Sequence, residues 1–222
     1  MQYPTISEYV KASQDDSDNL DMSTEATAEE LNEAIIDEFG VKYSKDGRKL
    51  LKAPQNLDGT YSIKDGVRII CDEAFDNCWY LSRLVIPDSV AGIVIPDGVT
   101  SIGERAFGGC IFVTRFDIPN SVTSIGNHAF EDCYSLPGIV IPDGVTSIRD
   151  YAFEGCTSLT SLAIPDSITC IGFDAFKGCS SLRDLVIPNS VNDIEDWAFE
   201  GCNFPDNLKQ ELISRFGNKI FG

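Results

Sequence analysis

The chain has 222 residues, of which 43% are hydrophobic and 23% charged, and its 35 acidic and 17 basic side chains give a net charge of −18. This acidity argues against a nucleic-acid partner, because neutralising a phosphate backbone requires a basic face, and against docking on an anionic membrane. No apolar run approaches the ~20 residues of a membrane-spanning helix. We therefore expect neither nucleic-acid binding nor membrane insertion.

Residues 1–58 are predicted to form an acidic N-terminal segment with a capping helix and a hairpin. The first 40 residues hold 11 acids and one lysine, a net charge of −10, which leaves −8 for the rest of the chain. Thr27 and Glu30 have the spacing of a capping box and predict a helix that ends at Gly40. The apolar residues predicted on one face of that helix are Leu31, Ala34, Ile35 and Phe39. A hairpin with an Asp46-Gly47 turn is predicted next, as a seed for the sheet edge.

Residues 59–203 are dominated by an internal repeat. An Ala-Phe pair recurs with its phenylalanine at intervals of 32, 23, 23, 23 and 23 residues, and a cysteine follows each phenylalanine by three positions. The phenylalanines are Phe75, Phe107, Phe130, Phe153, Phe176 and Phe199. An Ile-Pro pair recurs in parallel and closes a segment that alternates inward and outward, as a short strand does. One such coil cannot bury its own apolar face, so neighbouring coils must stack.

The spacing at residues 86–94 is irregular. Two Ile-Pro pairs, at Ile86 and Ile95, stand only nine residues apart, which suggests that about 14 residues of a repeat are missing. Nine residues cannot wrap around a core, so we predict a bulged loop near Asp88–Gly92, with Ile93–Ile95 pairing onto the strand around Ile118. The loop is either a hinge or partner-facing protrusion, or a neutral deletion that a modular array tolerates.

Residues 204–222 are predicted to form a C-terminal capping helix that opens at Pro205 and closes at Gly217. Its apolar residues are Leu208, Leu212, Ile213 and Phe216, and Ile220 and Phe221 remain to cover the last coil. The alternative for either terminal helix is a docking or dimer surface. The chain is taken as a monomer by default.

The repeat resembles the BspA-like bacterial leucine-rich repeats. The resemblance rests on the segment IPDGVTSIGERAFGGC and its relatives. It implies a right-handed solenoid of stacked coils of about 23 residues, with a parallel β-sheet on one face, irregular or short helical turns on the other, and helical caps. It also implies a non-enzymatic interaction module, of a kind often found in surface adhesins.

No arrangement of residues predicts an enzyme, a cofactor or a metal site. Six of the eight cysteines share one repeat position and are expected to be free and buried, although stacked coils bring neighbours within disulfide range. The single histidine, His128, is expected in a solvated turn without a catalytic role. Aspartates after the strands are expected to cap turns rather than to bind calcium.

The outward positions of the strands are the predicted binding face, because stacked repeats present a long, regular surface. An apolar stripe with a charged break follows from the alternation: Arg83, Val85, Val94, Arg115, Asp117, Val140, Ala163, Asp184 and Val186. The alternative is that β-branched residues fill a solvated sheet.

Two functions follow from these observations. The first is a protein-protein interaction module in the cytoplasm if Met1 is the true start, because the N-terminus lacks the pattern of a secretory signal. The second, which the resemblance to the BspA-like repeats implies, is a secreted or cell-surface adhesin for host proteins. An enzyme with an unrecognised site is a distant third.

Overall fold

The computed structural model describes residues 23–59, 61–81, 93–95 and 97–222. In these residues the chain forms a solenoid of about six stacked turns with parallel sheets and few helices. It begins with α1 (Ala28–Asn32) and three strands, β1 (Ile35–Ile36), β2 (Lys42–Tyr43) and β3 (Lys49–Lys52). The short strands of the coils follow: β4 (Tyr61–Ser62), β5 (Ile69–Ile70), β6 (Ile93–Val94), β7 (Ser101–Ile102), β8 (Phe116–Asp117), β9 (Ser124–Ile125), β10 (Gly138–Val140), β11 (Ser147–Ile148), β12 (Ser161–Ala163), β13 (Cys170–Ile171) and β14 (Asp193–Ile194). Helix α2 (Asp206–Phe216) and a 3₁₀ helix (Asn218–Phe221) end the chain.

The coils form two parallel ladders rather than the single sheet that we predicted, although the last coil contributes only to the second. The first ladder joins the strands before the Ile-Pro pairs, in the orders β4-β6-β8 and β10-β12. The second joins strands about eight residues further on, in the orders β3-β5-β7-β9 and β11-β13-β14. The second ladder was missed because its apolar residues, such as Val122 and Ile125, lie three positions apart and do not alternate. Its bonds run from coil to coil, as from the N–H of Gly126 to the carbonyl of Ile102 at 2.9 Å.

The repeated phenylalanines form a continuous stack in the core. All six are fully buried, with at most 1% of each residue exposed. Successive rings lie 5.4–5.6 Å apart between centroids, with interplanar angles of 3–19°. Such offset stacking stabilises the fold beyond the burial of the rings. The spacing between neighbouring coils is therefore set by the stacked rings as well as by the ladders.

The Ala-Phe turn is held by two left-handed residues in every coil. The residues two positions before and two positions after each phenylalanine have φ between 51° and 75°. This geometry points their N–H groups along the solenoid axis: His128 donates to the carbonyl of Asp150 at 3.0 Å, and Asp132 to that of Glu154 at 2.8 Å. Between them Phe130 donates to Ala152 at 2.9 Å. The backbone strain, about 1–2 kcal/mol for each non-glycine residue, is thus partly offset by a third ladder of hydrogen bonds.

The six cysteines of the repeat lie beside this turn. All eight cysteines of the chain are free. Each repeat thiol approaches a backbone carbonyl of the preceding coil or of the N-terminal segment, with Sγ–O distances of 3.1–3.6 Å. Burial raises the pKa of Cys78 and Cys202 to about 12, and it raises the pKa of Cys156 well above its ordinary value. The thiols are therefore neutral donors in the core.

The N-terminal helix is shorter than predicted. The Thr27–Glu30 capping box is present, but α1 ends at Asn32. Ile35 and Ile36 form β1, which pairs antiparallel with β2, and they are 49% and 59% exposed. Placing Ile35 and Phe39 on a buried helix face was therefore wrong.

Pairing with the hairpin outweighs helix propensity in this segment. A carboxylate oxygen of Asp37 accepts hydrogen bonds from the N–H groups of Phe39 and Val41 at 3.0 and 2.9 Å. Gly40, at φ +83°, completes the turn between β1 and β2. The glycine thus belongs to a hairpin turn and does not end a helix. The predicted Asp46-Gly47 hairpin joins β2 to β3, and β3 pairs parallel with β5 to start the second ladder.

The C-terminus covers the last coil. Leu212 of α2 and Ile220 of the 3₁₀ helix are buried. The N–H groups of Trp197 and Phe199 donate to the carbonyls of Lys219 and Ile220, each at 2.8 Å. The 3₁₀ helix therefore accepts the hydrogen bonds that a further coil would accept, which is the role of a cap.

The irregular repeat is an insertion rather than a deletion. Strand β6 pairs with β8, as predicted for Ile93–Ile95, and on its other side it pairs directly with β4. Phe75 and Phe107 stack at 5.4 Å, so no coil is missing between them. The interval of 32 residues is accordingly one repeat of 23 plus nine extra residues. The predicted loop at Asp88–Gly92 lies outside the described residues.

Candidate functional site

The predicted binding face is partly assembled by the first ladder. Arg115, Asp117, Val140 and Ala163 line one shallow depression of about 450 Å³ across β8, β10 and β12. Val140 is 69% exposed, whereas its neighbour Ile139 points inward and is buried. The alternation that we inferred from the sequence thus places these four side chains on one outer surface.

The remaining predicted residues of the face have different outcomes. Asp184 and Val186 are exposed, and Val186 is 78% exposed, but no strand forms at residues 184–186. Their assignment to a strand was wrong, although the inward and outward alternation is kept because Leu185 is buried between them. Arg83 and Val85 lie outside the described residues. Val94 lies in β6, and its side chain is likewise outside the description.

An ion pair forms the charged part of the face. Nε of Arg115 donates to Asp117 at 2.8 Å, and both side chains are more than half exposed. The hydrogen bond and the charge of Asp117 raise the pKa of Arg115. Exposed pairs of this kind contribute little to folding stability, so both groups can be redirected to a partner at small cost.

The depression lies at a seam between two coils. Within the part of the chain that the structure describes, the first ladder stops between β8 and β10, and the second stops between β9 and β11. Both breaks fall at the same coil boundary. Across it the turn ladder continues, with Phe130 donating to Ala152 at 2.9 Å and the rings of Phe130 and Phe153 stacked at 5.4 Å. The turn side therefore joins the two halves of the solenoid.

A second group of polar side chains gathers on the turn side of this seam. His128 and Glu131 from one coil and Glu154 from the next bring their ligand atoms within 4.8 Å of one another. His128 lies in a turn as expected, but the turn is less solvated than expected, because only 25% of its side chain is exposed. Sequence reasoning missed this group because its members stand at two different repeat positions and meet only when coils stack.

A family model of the BspA type leucine rich repeat region matches residues 56–93 and 89–209, with six copies of the repeat. The chain belongs to this family. The match contains all six Ala-Phe turns of the solenoid, and it confirms the resemblance drawn from the repeat itself. No curated protein sequence matches the chain.

Solved structures of bacterial leucine-rich repeat proteins share this fold. A leucine-rich repeat protein from Bacteroides ovatus is 28% identical over 78% of this chain and 50% of its own, with a TM-score of 0.59. One from Eubacterium ventriosum is 25% identical over 79% and 51%, with a TM-score of 0.56. The chain thus spans about half the length of these two relatives. The T. pallidum leucine-rich repeat protein is 24% identical over 86% of this chain and 95% of its own, with a TM-score of 0.64, and shows the fold alone.

Across the described ranges, no helix is both long enough and apolar enough to cross a bilayer.

Proposed function

We propose that this BspA-type repeat chain is a non-enzymatic module that binds a partner protein on the surface formed by Arg115, Asp117, Val140, Ala163, Asp184 and Val186. The observation that carries the proposal is the exposure of Val140 and Val186, at 69% and 78%, on an outward-facing row whose inward neighbours are buried. When a partner removes these valines from water, binding is favoured by about 25 cal/mol for each Å² of apolar surface that is buried.

The chemistry of the surface indicates the kind of partner. Valine side chains on either side of Ala163 offer apolar contact with little loss of side-chain entropy, since valine is stiff at χ1. The Arg115–Asp117 pair at one end provides a donor and an acceptor that both lie at the surface. A protein surface with an apolar patch beside a polar pair fits this arrangement.

The experiment is a crosslinking pull-down from the source cells with the full chain as bait. We expect the double variant Val140→Asp with Val186→Asp to lose the captured partner and to keep the wild-type circular dichroism spectrum. The matched control is Trp79→Asp with Phe112→Asp, which introduces the same charge at two exposed apolar residues outside this surface. Capture that survives the first variant, or that both variants lose equally, would reject the assignment.

The compartment is part of the same proposal. Eight free cysteines favour a reducing compartment, which supports an interaction module inside the cell. The family resemblance favours the alternative, an adhesin at the cell surface that binds host proteins. Fractionation of the source cells, with detection of the native chain in each fraction, distinguishes the two.

A further inference from the structure

The cluster at the turn side of the seam has the composition of a metal site. It joins one imidazole nitrogen and two carboxylates, all within 4.8 Å of one another. His128 and Glu131 come from one turn of the solenoid, and Glu154 comes from the next. An ion bound here would therefore contact two successive coils.

The imidazole of His128 is held in place for such a role. Its ring lies parallel to that of Tyr151, with centroids 4.4 Å apart and an interplanar angle of 4°. Its Nδ1 atom is buried and makes no hydrogen bond to any residue that the structure describes, although it lies 3.4 Å from Oε2 of Glu131. Buried polar atoms without a partner are uncommon in folded proteins and call for an explanation.

One distance in the cluster matches the separation of two ligands across a bound ion. Two ligands at about 2.0–2.2 Å from a tetrahedral Zn²⁺ are about 3.3–3.6 Å apart, and the separation of Nδ1 and Oε2 falls in this range. A mixed set of one nitrogen and carboxylate oxygens suits a zinc-like ion better than Ca²⁺ or Mg²⁺, which prefer oxygen alone. We propose that His128, Glu131 and Glu154 bind a divalent transition ion such as Zn²⁺, with water completing the coordination.

The surrounding charges bear on this proposal in opposite ways. The carboxylate of Glu154 makes no hydrogen bond or ion pair with the residues that the structure describes, and burial, together with the nearby charge of Glu131, raises its pKa. A divalent cation between the two carboxylates removes this repulsion. Arg105 competes with the ion, since its guanidinium contacts the same Oε2 atom of Glu131 and also pairs with Asp76 at 3.4 Å.

The position of the site gives it a structural effect. Both strand ladders are interrupted at the boundary between these two coils. An ion that joins Glu131 to Glu154 would link the coils directly across that boundary. Metal binding is therefore expected to protect the turn amides on both sides of the seam, including those of His128 and Tyr151, from hydrogen exchange.

The test uses the full chain without a histidine tag, titrated with ZnCl₂ at neutral pH. His128 is the only histidine of the chain, so one set of imidazole NMR signals reports on the site. We expect these signals to shift with one equivalent of Zn²⁺. His128→Gln and Glu154→Gln should each weaken zinc binding, measured by calorimetry, by at least tenfold. Arg105→Gln should strengthen it, because the competing cation is removed from Glu131.

The matched control is Glu200→Gln, a carboxylate at the same repeat position as Glu131 and Glu154, two coils beyond Glu154. Its partner is Lys177, at 3.2 Å, and the variant should bind zinc as the wild type does. Imidazole signals that do not move would overturn the proposal, as would full affinity in folded His128→Gln. A thiolate-to-metal absorption band with Co²⁺ would also overturn it, because it would assign the ion to a cysteine.

Discussion

Replacing Phe153 by alanine tests whether the stack of rings holds the solenoid together. The ring of Phe153 is buried and stacks on Phe130 and Phe176, both at 5.4 Å. Removing a buried phenylalanine side chain costs about 3–5 kcal/mol, depending on how far the surroundings collapse into the cavity. Collapse is limited here, because turn hydrogen bonds of 2.9 Å to Ala152 and 2.8 Å to Ala175 fix the distance between coils. We therefore expect a loss of about 4–5 kcal/mol in the free energy of unfolding.

The measurement is urea unfolding followed by far-ultraviolet circular dichroism. Because solenoid coils contact only their neighbours, an array that unfolds in steps should lose stability in the step that contains this coil. Phe153→Leu, which retains much of the side-chain volume, should cost about 1.5 kcal/mol, and Val186→Ala, at an exposed site, less than about 0.5 kcal/mol. A cost below about 2 kcal/mol for Phe153→Ala would show that the cavity closes and that the ladders, not the rings, set the spacing.

Two further predictions concern the turn. Gly178 has φ +73°, and an added Cβ would meet its nearest atoms only at 3.8 Å, so Gly178→Ala should cost about 1–2 kcal/mol in unfolding free energy through backbone strain alone; an unchanged urea midpoint would contradict this. The pKa of Cys156 is raised well above 9.0 by burial, so the native thiol stays protonated where the unfolded thiol ionises. Stability must then fall as the pH rises above about 9, and Cys156→Ala should reduce that fall by about 1.4 kcal/mol per pH unit; equal slopes for the two proteins would refute the linkage.

The repeat made the stack of coils predictable, and the physical reason is visible at single positions. Phe153 and Cys156 recur at a constant spacing because each must fill the same space in every coil. The alternation of Val140 outward and Ile141 inward likewise gave the correct exposure for both residues. At such positions the burial of a side chain can be predicted from the sequence pattern.

Other features left no such pattern. The left-handed residue two positions before each phenylalanine is never glycine in the six turns, and His128, Tyr151 and Asp174 have nothing in common as residue types. Their conformation is imposed by hydrogen bonds to the next coil, which a single repeat does not reveal. Ile35 was assigned to a helix for a related reason, since its antiparallel partner Tyr43 lies beyond a turn.

The interior and the surface of the repeat are under different packing constraints. A change at Phe153 disturbs two neighbouring coils at once, so stacking restricts what the interior position accepts. Val140 and Ala163 occupy the same position in successive coils, and both are exposed. His128 and Tyr151 occupy another shared position, where the residue type differs from coil to coil. Any recognition by this chain must depend on such outward positions, because the repeated interior is the same in every coil. The two proposed sites lie at the same boundary between coils, one at the strands and one at the turns. The strand ladders are interrupted there, so the turns hold the two coils together. An ion bound at the turns would therefore also fix the spacing of the strands that carry Asp117 and Val140.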